Sequence, residues 1–268
     1  MGFDLGPALL FCPGDRPERF AKAAQRADAV ILDLEDAVAP DAKAVARERI
    51  AASTLDPART IIRVNAPDTP FFGDDLAMLS ATRFRTVMVA KTEDPATLDV
   101  FDASYSIIAL CETARGVSQA GRIAAHERIS ALMWGAEDLI ASLGGTSSRG
   151  ADGRYRDAAR YARSRVLLEA GAHGKAAIDA VHIDIDDIDG LAAEAEDAAA
   201  SGFRATACIH PGQVATIRSA YAPDDDMLAW ARDVLATAEG ERGVFRFRGR
   251  MIDEPLLRHA RAVAARGA

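Results

Sequence analysis

The sequence predicts an α/β fold, a TIM-type (β/α)8 barrel with a C-terminal helical extension. Three observations lead there. Short apolar, β-branched runs alternate with longer Ala-rich, charged runs of helical period, the pattern of a parallel sheet wrapped by helices. Eight such units follow one another, and none carries a Gly-rich nucleotide-binding fingerprint, which favours a closed barrel over an open doubly wound sheet. At 268 residues and 49% hydrophobic, the chain has the size of one barrel, typically ~250 residues.

In chain order the strands are "ALLFC" (8–12), "AVILDL" (29–34), "TIIRVN" (60–65), "TVMVAK" (86–91), "SIIALCE" (106–112), "ISALMWG" (129–135), "AIDAVHI" (177–183) and "ATACIH" (205–210). Each is a nearly continuous apolar run, so each should be buried on both faces. Helices are expected to begin near Pro17, Ala42, Phe72, Pro95, Val117, Arg156, Ile188 and Gly212. Pro17 and Pro95 sit where a first-turn proline loses no helical hydrogen bond. Residues 142–155, "SLGGTSSRGADGRY", read as a long mobile loop after the sixth strand and a candidate lid. The barrel is expected to occupy 1–221; residues 222–268 add a helix, a short extended piece and a last helix, a tail the barrel does not need for closure and that is expected to serve a neighbouring subunit.

A formal net charge of −8 and a pI near 5.2 argue against a nucleic-acid partner, because phosphate backbones are bound through clustered Lys and Arg. A small anion needs only a local basic pocket. Cys12, Cys111 and Cys208 lie in apolar segments with no metal-type spacing and read as buried thiols. The first residues have no basic, apolar leader pattern, and no run reaches the ~18 apolar residues that span a bilayer. The expectation is a cytoplasmic protein with no membrane partner.

Barrel chemistry sits at the C-terminal ends of the strands. Those ends carry Asp15 and Arg16; Asp33, Glu35 and Asp36; Arg63 and Asn65; Lys91 and Glu93; Glu112; Glu137 and Asp138; Asp184; and His210. So many carboxylates at one mouth raise each other's pKa unless cations sit among them. A divalent ion resolves this, and oxygen donors without His or Cys favour Mg²⁺, with Mn²⁺ next. Glu112 and Asp138, on neighbouring strand ends, form the best ligand pair, with salt-bridge partnership the competing reading. Arg63 and Lys91 are the counter-charges. Either closes the rim as an ion pair, or Arg63 grips substrate oxygens with its fork and a desolvated Lys91 forms a Schiff base. Asp33, Glu35 and Asp36 are expected behind the metal, orienting bound waters and pairing with Arg or Lys. His210 reads as structural and Trp134 as core.

The motifs "FCPGDRPERF", "ILDLEDAV", "RVNA", "ETARG", "GAEDL", "CIHPGQV" and "GRMIDEPLLRHA", in this order, make the chain resemble the citrate lyase β-subunit-like branch of the HpcH/HpaI aldolase family over nearly its whole length. The resemblance implies a TIM barrel assembled as a homotrimer that handles thioesters of coenzyme A or an acyl carrier protein. It implies Mg²⁺ on Glu112 and Asp138, with Glu112 also against the substrate, and Arg63 on the substrate's oxygens. It places Asp253, in the C-terminal "MID-P" motif, in the neighbouring subunit's site. Ala90 stands where a proline often precedes the lysine.

The reaction expected on that basis is reversible cleavage of a 3-hydroxyacyl-CoA, citramalyl-CoA or malyl-CoA, to acetyl-CoA and a 2-oxo acid, pyruvate or glyoxylate. Malate synthase or thioesterase activity could accompany it. Arg63 would stabilise oxygen charge, and Asp253 would protonate the enolate carbon. Arg16, Lys22 and Arg149 are the candidates for the coenzyme's phosphates. Two alternatives stand: a citryl-thioester lyase β subunit within a citrate lyase complex, and a class I aldolase acting through Lys91.

Overall fold

A computed structural model describes residues 3–241 and 243–266. Eight parallel strands close in chain order: β1 (Ala8–Pro13), β2 (Ala29–Asp33), β3 (Thr60–Val64), β4 (Thr86–Val89), β5 (Ser106–Cys111), β6 (Ile129–Trp134), β7 (Ala176–Asp179) and β8 (Ala205–Cys208). The ring shuts where β1 pairs with both β2 (Leu9 beside Ala29) and β8 (Leu10 beside Cys208). Around it run α1 (Pro17–Arg26), α2 (Lys43–Ala51), α3 (Phe72–Ser80), α4 (Ala114–Ala124), α5 (Ala136–Ser142), α6 (Asp157–Ala172), α7 (Ile188–Ser201) and α8 (Val214–Tyr221). This is the TIM barrel expected from the alternation of runs.

The helix boundaries follow local chemistry. α1 begins on Pro17 and turns Phe20 and Ala23 onto the strands. α4 starts three residues before the expected Val117, because the Thr113 hydroxyl caps it by accepting the Gly116 N–H. α7 runs from Asp187, which caps Gly190 N–H, to Gly202, whose φ of 106° ends the helix in a conformation glycine adopts without strain.

Two expectations are corrected. The segment at Pro95 is a single 3-10 turn, Pro95–Leu98, rather than a helix. Leu98 and Phe101, three apart, are buried there, and one turn satisfies that spacing. After β6 the chain enters α5 directly, so the following loop begins only at Leu143. That loop is tied down: Arg149 bridges to Tyr155 and forks onto Glu194, Ser148 donates to Glu137 at 2.6 Å, and Tyr155 packs edge-on against Trp134 at 5.2 Å.

Strand side chains alternate in and out, and the inward ones fill the barrel. Leu9, Ile31, Ile61, Met88, Leu110 and Met133 are among the buried side chains of this central core. Two residues further along the chain, the next inward positions are Phe11, Asp33, Arg63, Ala90, Glu112 and Gly135. The polar site is thus the next layer of the barrel, resting on an apolar plug.

The chain divides into two compact units, the division falling in sequence after Ile217. The second unit contains α9 (Asp225–Ala238), an antiparallel hairpin of β9 (Phe245–Phe247) and β10 (Arg250–Ile252), and α10 (Glu254–Arg266). Its own small core includes Ala231, Val234, Phe245, Ile252 and Leu257. Asp253 stands at the start of α10, where its carboxylate accepts the Leu256 N–H at 3.2 Å. Among the described residues no helix is long and apolar enough to cross a membrane.

Candidate active site

Asp33 ends β2, and Arg63, one residue before the end of β3, stands beside it in register. Neighbouring inward positions let the guanidinium fork onto the carboxylate, Nε to Oδ1 and Nη2 to Oδ2, both at 2.6 Å. Nη1 lies 3.1 Å from Glu35 Oε2, and the Phe11 ring lies beneath the guanidinium at 4.8 Å. Asp33 is wholly buried and Arg63 is 9% exposed. Burial alone would lower the Arg63 pKa, but the Asp33 charge and hydrogen bonds, with Glu35 and Glu112, raise it. Of its five N–H donors, one on Nη1 and one on Nη2 stay available to a ligand.

Lys91 sits just past β4 in left-handed backbone, φ 47°. This turns its N–H to Glu112 Oε1 at 3.1 Å. Its ammonium bonds Glu35 and lies 3.2 Å from Asp36 and 3.3 Å from Asp138. Burial would lower the Lys91 pKa, but the hydrogen bond to Glu35 and the charges of Glu112, Glu35 and Asp138 outweigh it and hold the ammonium above the usual lysine range. An imine-forming lysine must present a neutral amine. Lys91 is instead a counter-ion among carboxylates.

Glu112 follows β5 and is 3% exposed. Burial, and then the Asp138 charge, push its carboxyl up to about 8. Asp138 lies in the first turn of α5, where the helix N-terminus favours a negative charge. Gly135 separates the two: a Cβ there would stand 2.8 Å from Glu112 Oε2 and 3.0 Å from its Cβ. Five carboxylates, Asp33, Glu35, Asp36, Glu112 and Asp138, thus face two cations. Among the described residues no three His, Cys, Asp or Glu side chains form a metal cage. Glu112 and Asp138 are nevertheless a fitting donor pair for a hard cation that keeps waters and binds substrate oxygens, as Mg²⁺ does.

The mouth cavity, of about 230 Å³, is lined by Asp33, Asp36, Arg63, Glu112 and Asp138 above an apolar floor that includes Phe11, Leu110, Met133 and Val181. A second cavity of about 430 Å³ shares Phe11 and Ile209 with it and is lined by Arg19, Lys22 and His210. Arg19, one helical turn from Lys22, is a cation the sequence reading passed over. Arg16 is exposed beside Asp15, at 3.8 Å. Arg149 is not a free cation: it forks onto Glu194 and lies over the Tyr155 ring at 3.8 Å. His210 caps the turn at Pro211, accepting the Gly212 N–H at 3.2 Å. Asn65 turns away from the mouth, to Asp75 and Lys43. Asp179, unremarked in the sequence, is buried between Trp134 Nε1 at 2.6 Å and Arg163.

The model of the family described as HpcH/HpaI aldolase/citrate lyase matches residues 8–211. The citrate lyase subunit beta-like protein of Mycobacterium tuberculosis (strain ATCC 25618 / H37Rv) is 54% identical over 261 residues, covering 97% of this chain and 95% of that protein. The mitochondrial citramalyl-CoA lyase of Homo sapiens is 30% identical over 286 residues, covering 94% and 83%. A crystal structure of protein CitE from Mycobacterium tuberculosis, in complex with magnesium, acetoacetate and coenzyme A, superposes with a TM-score of 0.93 at 53% identity, covering 98% of each chain. With a barrel-wide family match and relatives along nearly the whole length, the chain belongs to the HpcH/HpaI aldolase/citrate lyase family.

Proposed function

We propose that the chain is a Mg²⁺-dependent carbon–carbon lyase that cleaves a 3-hydroxyacyl-CoA thioester of the citramalyl-CoA or malyl-CoA type to acetyl-CoA and pyruvate or glyoxylate. The observation that carries this reading is a pair of neighbouring carboxyl groups, Glu112 and Asp138, lining one mouth with the Arg63 guanidinium. Glu112 and Asp138 would hold the ion, which would supply Lewis acidity to the substrate's oxygens. Arg63, fixed by Asp33 and Glu35, stabilises the negative charge that develops on oxygen as the carbon–carbon bond breaks. Lys91 holds Glu35, Asp36 and Asp138 in place without entering the chemistry.

The cavity size supports a small oxo acid. Arg63 is a cation among its lining residues and can hold a carboxylate, while the apolar floor suits the hydrogen of glyoxylate or the methyl of pyruvate. Protonation of the acetyl-CoA enolate carbon falls to Asp253 of a neighbouring copy in a homotrimer. Lys22 and Arg19, with Arg16 near them in sequence, offer positive charge for the coenzyme's phosphates.

The test is a panel of malyl-, citramalyl- and citryl-CoA assayed with Mg²⁺ and again after EDTA. Expected is cleavage of the first two, abolished by EDTA and restored by Mg²⁺, with Asp253→Ala retaining metal binding but losing most of the rate. Turnover of citryl-CoA alone would overturn the substrate reading, and an unchanged rate in Asp253→Ala the role in trans.

A further inference from the structure

We infer that Lys43, buried in α2 beneath the mouth, is a positioning residue: its ammonium holds the turn that carries Glu35, and through Glu35 it fixes Arg63 and Lys91. Its kinetic consequence rests on the lyase reading above; its placement rests on geometry alone.

Lys43 is 6% exposed. Its Nζ donates to Leu34 O at 2.8 Å, Glu35 O at 3.0 Å and Asn65 Oδ1 at 2.7 Å. Those are three acceptors for three N–H groups, and the Phe71 ring lies 5.0 Å away. None of the three bonded oxygens belongs to a carboxylate. The charge is balanced at longer range by Asp33, Glu35, Asp75 and Asp36, against the burial that lowers the lysine's pKa. A buried ammonium is costly, and an apolar side chain of the same length would fill the space with less penalty. Packing therefore does not account for a cation here.

The bonds it makes do. Leu34 and Glu35 begin the turn that follows β2 and carries Glu35 and Asp36. Leu34 O also accepts Asn65 Nδ2 at 2.9 Å, and Glu35 O also accepts the Val38 N–H at 3.1 Å. Both carbonyls are thus held from below by groups that cannot be replaced by water without opening the core. Asn65 is fixed in turn by Asp75, through its backbone N–H at 2.9 Å and Nδ2 at 2.7 Å, and Asp75 by Arg47 at 3.0 Å, one helical turn beyond Lys43. Above the turn, the Glu35 carboxylate stands between Arg63 and Lys91. Backbone drift at Glu35 would have to break a bond to a buried cation, so the mouth's two counter-ions inherit their placement from α2.

The test uses the full chain and Lys43→Met, with amide exchange, kcat and KM measured well below the unfolding temperature. Expected is exchange across residues 34–38 faster by about tenfold or more. kcat should fall by about tenfold or more while KM for the thioester shifts less than about threefold. In Lys43→Ala, ethylammonium should restore part of kcat and tetramethylammonium at equal ionic strength should not, a response that a purely structural lysine would not produce. An unchanged kcat per folded molecule, or unchanged exchange at the turn, overturns the proposal. If the Lys43 variants do not fold, Asn65→Ser decides it: the variant removes one acceptor of the ammonium and one donor to Leu34 O, and an unaltered kcat would be equally fatal. If the wild type turns over none of the thioesters, the lyase reading fails while the exchange comparison still decides the placement.

Discussion

Asp33→Leu isolates the energetics that hold Arg63 in the mouth. The wild-type carboxylate is 0% exposed and accepts four bonds: two from Arg63 at 2.6 Å, one from the Glu35 N–H at 2.8 Å and one from the Ala37 N–H at 3.1 Å. Leucine keeps the bulk and removes both acceptor oxygens and with them all four bonds, so a 9% exposed guanidinium keeps Glu35 alone at 3.1 Å. Breaking one side of a buried pair costs ~3–5 kcal/mol. At ~2–4 °C per kcal/mol for a unit of this size, the barrel's melting temperature should fall by roughly 6–20 °C. Calorimetry and urea unfolding of the EDTA-treated protein, followed on the barrel transition, provide the measurement. The double variant Asp33→Leu/Arg63→Met removes the stranded charge along with its partner and should recover at least about half of the loss. A loss below ~1 kcal/mol in the single variant, or a double variant no more stable than the single, would refute the argument that the pair's stability resides in mutual charge compensation.

Three further outcomes follow from the same geometry. With its folded pKa raised from 4.5 to about 8, Glu112 favours the fold while protonated; that contribution is fully present below pH 4.5 and is lost as pH rises through about 8. Mg²⁺ affinity, read by isothermal titration with one proton released per ion, should accordingly climb toward about tenfold per pH unit below that value and level off above it; a flat profile would contradict it. Gly135→Ala places a methyl 2.8 Å from Glu112 Oε2, and should weaken Mg²⁺ binding and lower kcat by about tenfold or more with a smaller effect on thioester KM. Borohydride with pyruvate should leave no adduct on Lys91, checked by intact-mass spectrometry, because the ammonium is held charged by Glu35, Asp36 and Asp138.

The barrel was legible because its strands are apolar on both faces and so announce themselves as runs such as "TVMVA" and "SIIALC". The mouth was legible for a related reason: alternation carries the same inward register from Ile31 to Asp33, from Ile61 to Arg63 and from Leu110 to Glu112. Elements without a periodic signature were not. Residues 95–98 form one turn, which is enough to bury Leu98 and, three residues on, Phe101, and α5 follows β6 through a single glycine with no polar linker to mark it. Partners distant in the chain were equally hidden. Arg149 looks like a solvated loop cation until Glu194 closes on it, and Lys43 looks like an ordinary surface lysine of an Ala-rich helix until Asn65 and the turn at Leu34 enclose it.

The apolar plug under the site has a kinetic meaning. Leu110 and Met133 belong both to the buried core of the barrel and to the floor of the mouth cavity, so the cavity is a cup open at one end. A molecule seated against that floor arrives first and departs last. For a reaction that splits one substrate into two products, a cup of this shape imposes ordered release, with the small acid trapped until the larger thioester fragment has gone. Inhibition by the small product should then be competitive with substrate, and inhibition by the larger one should not.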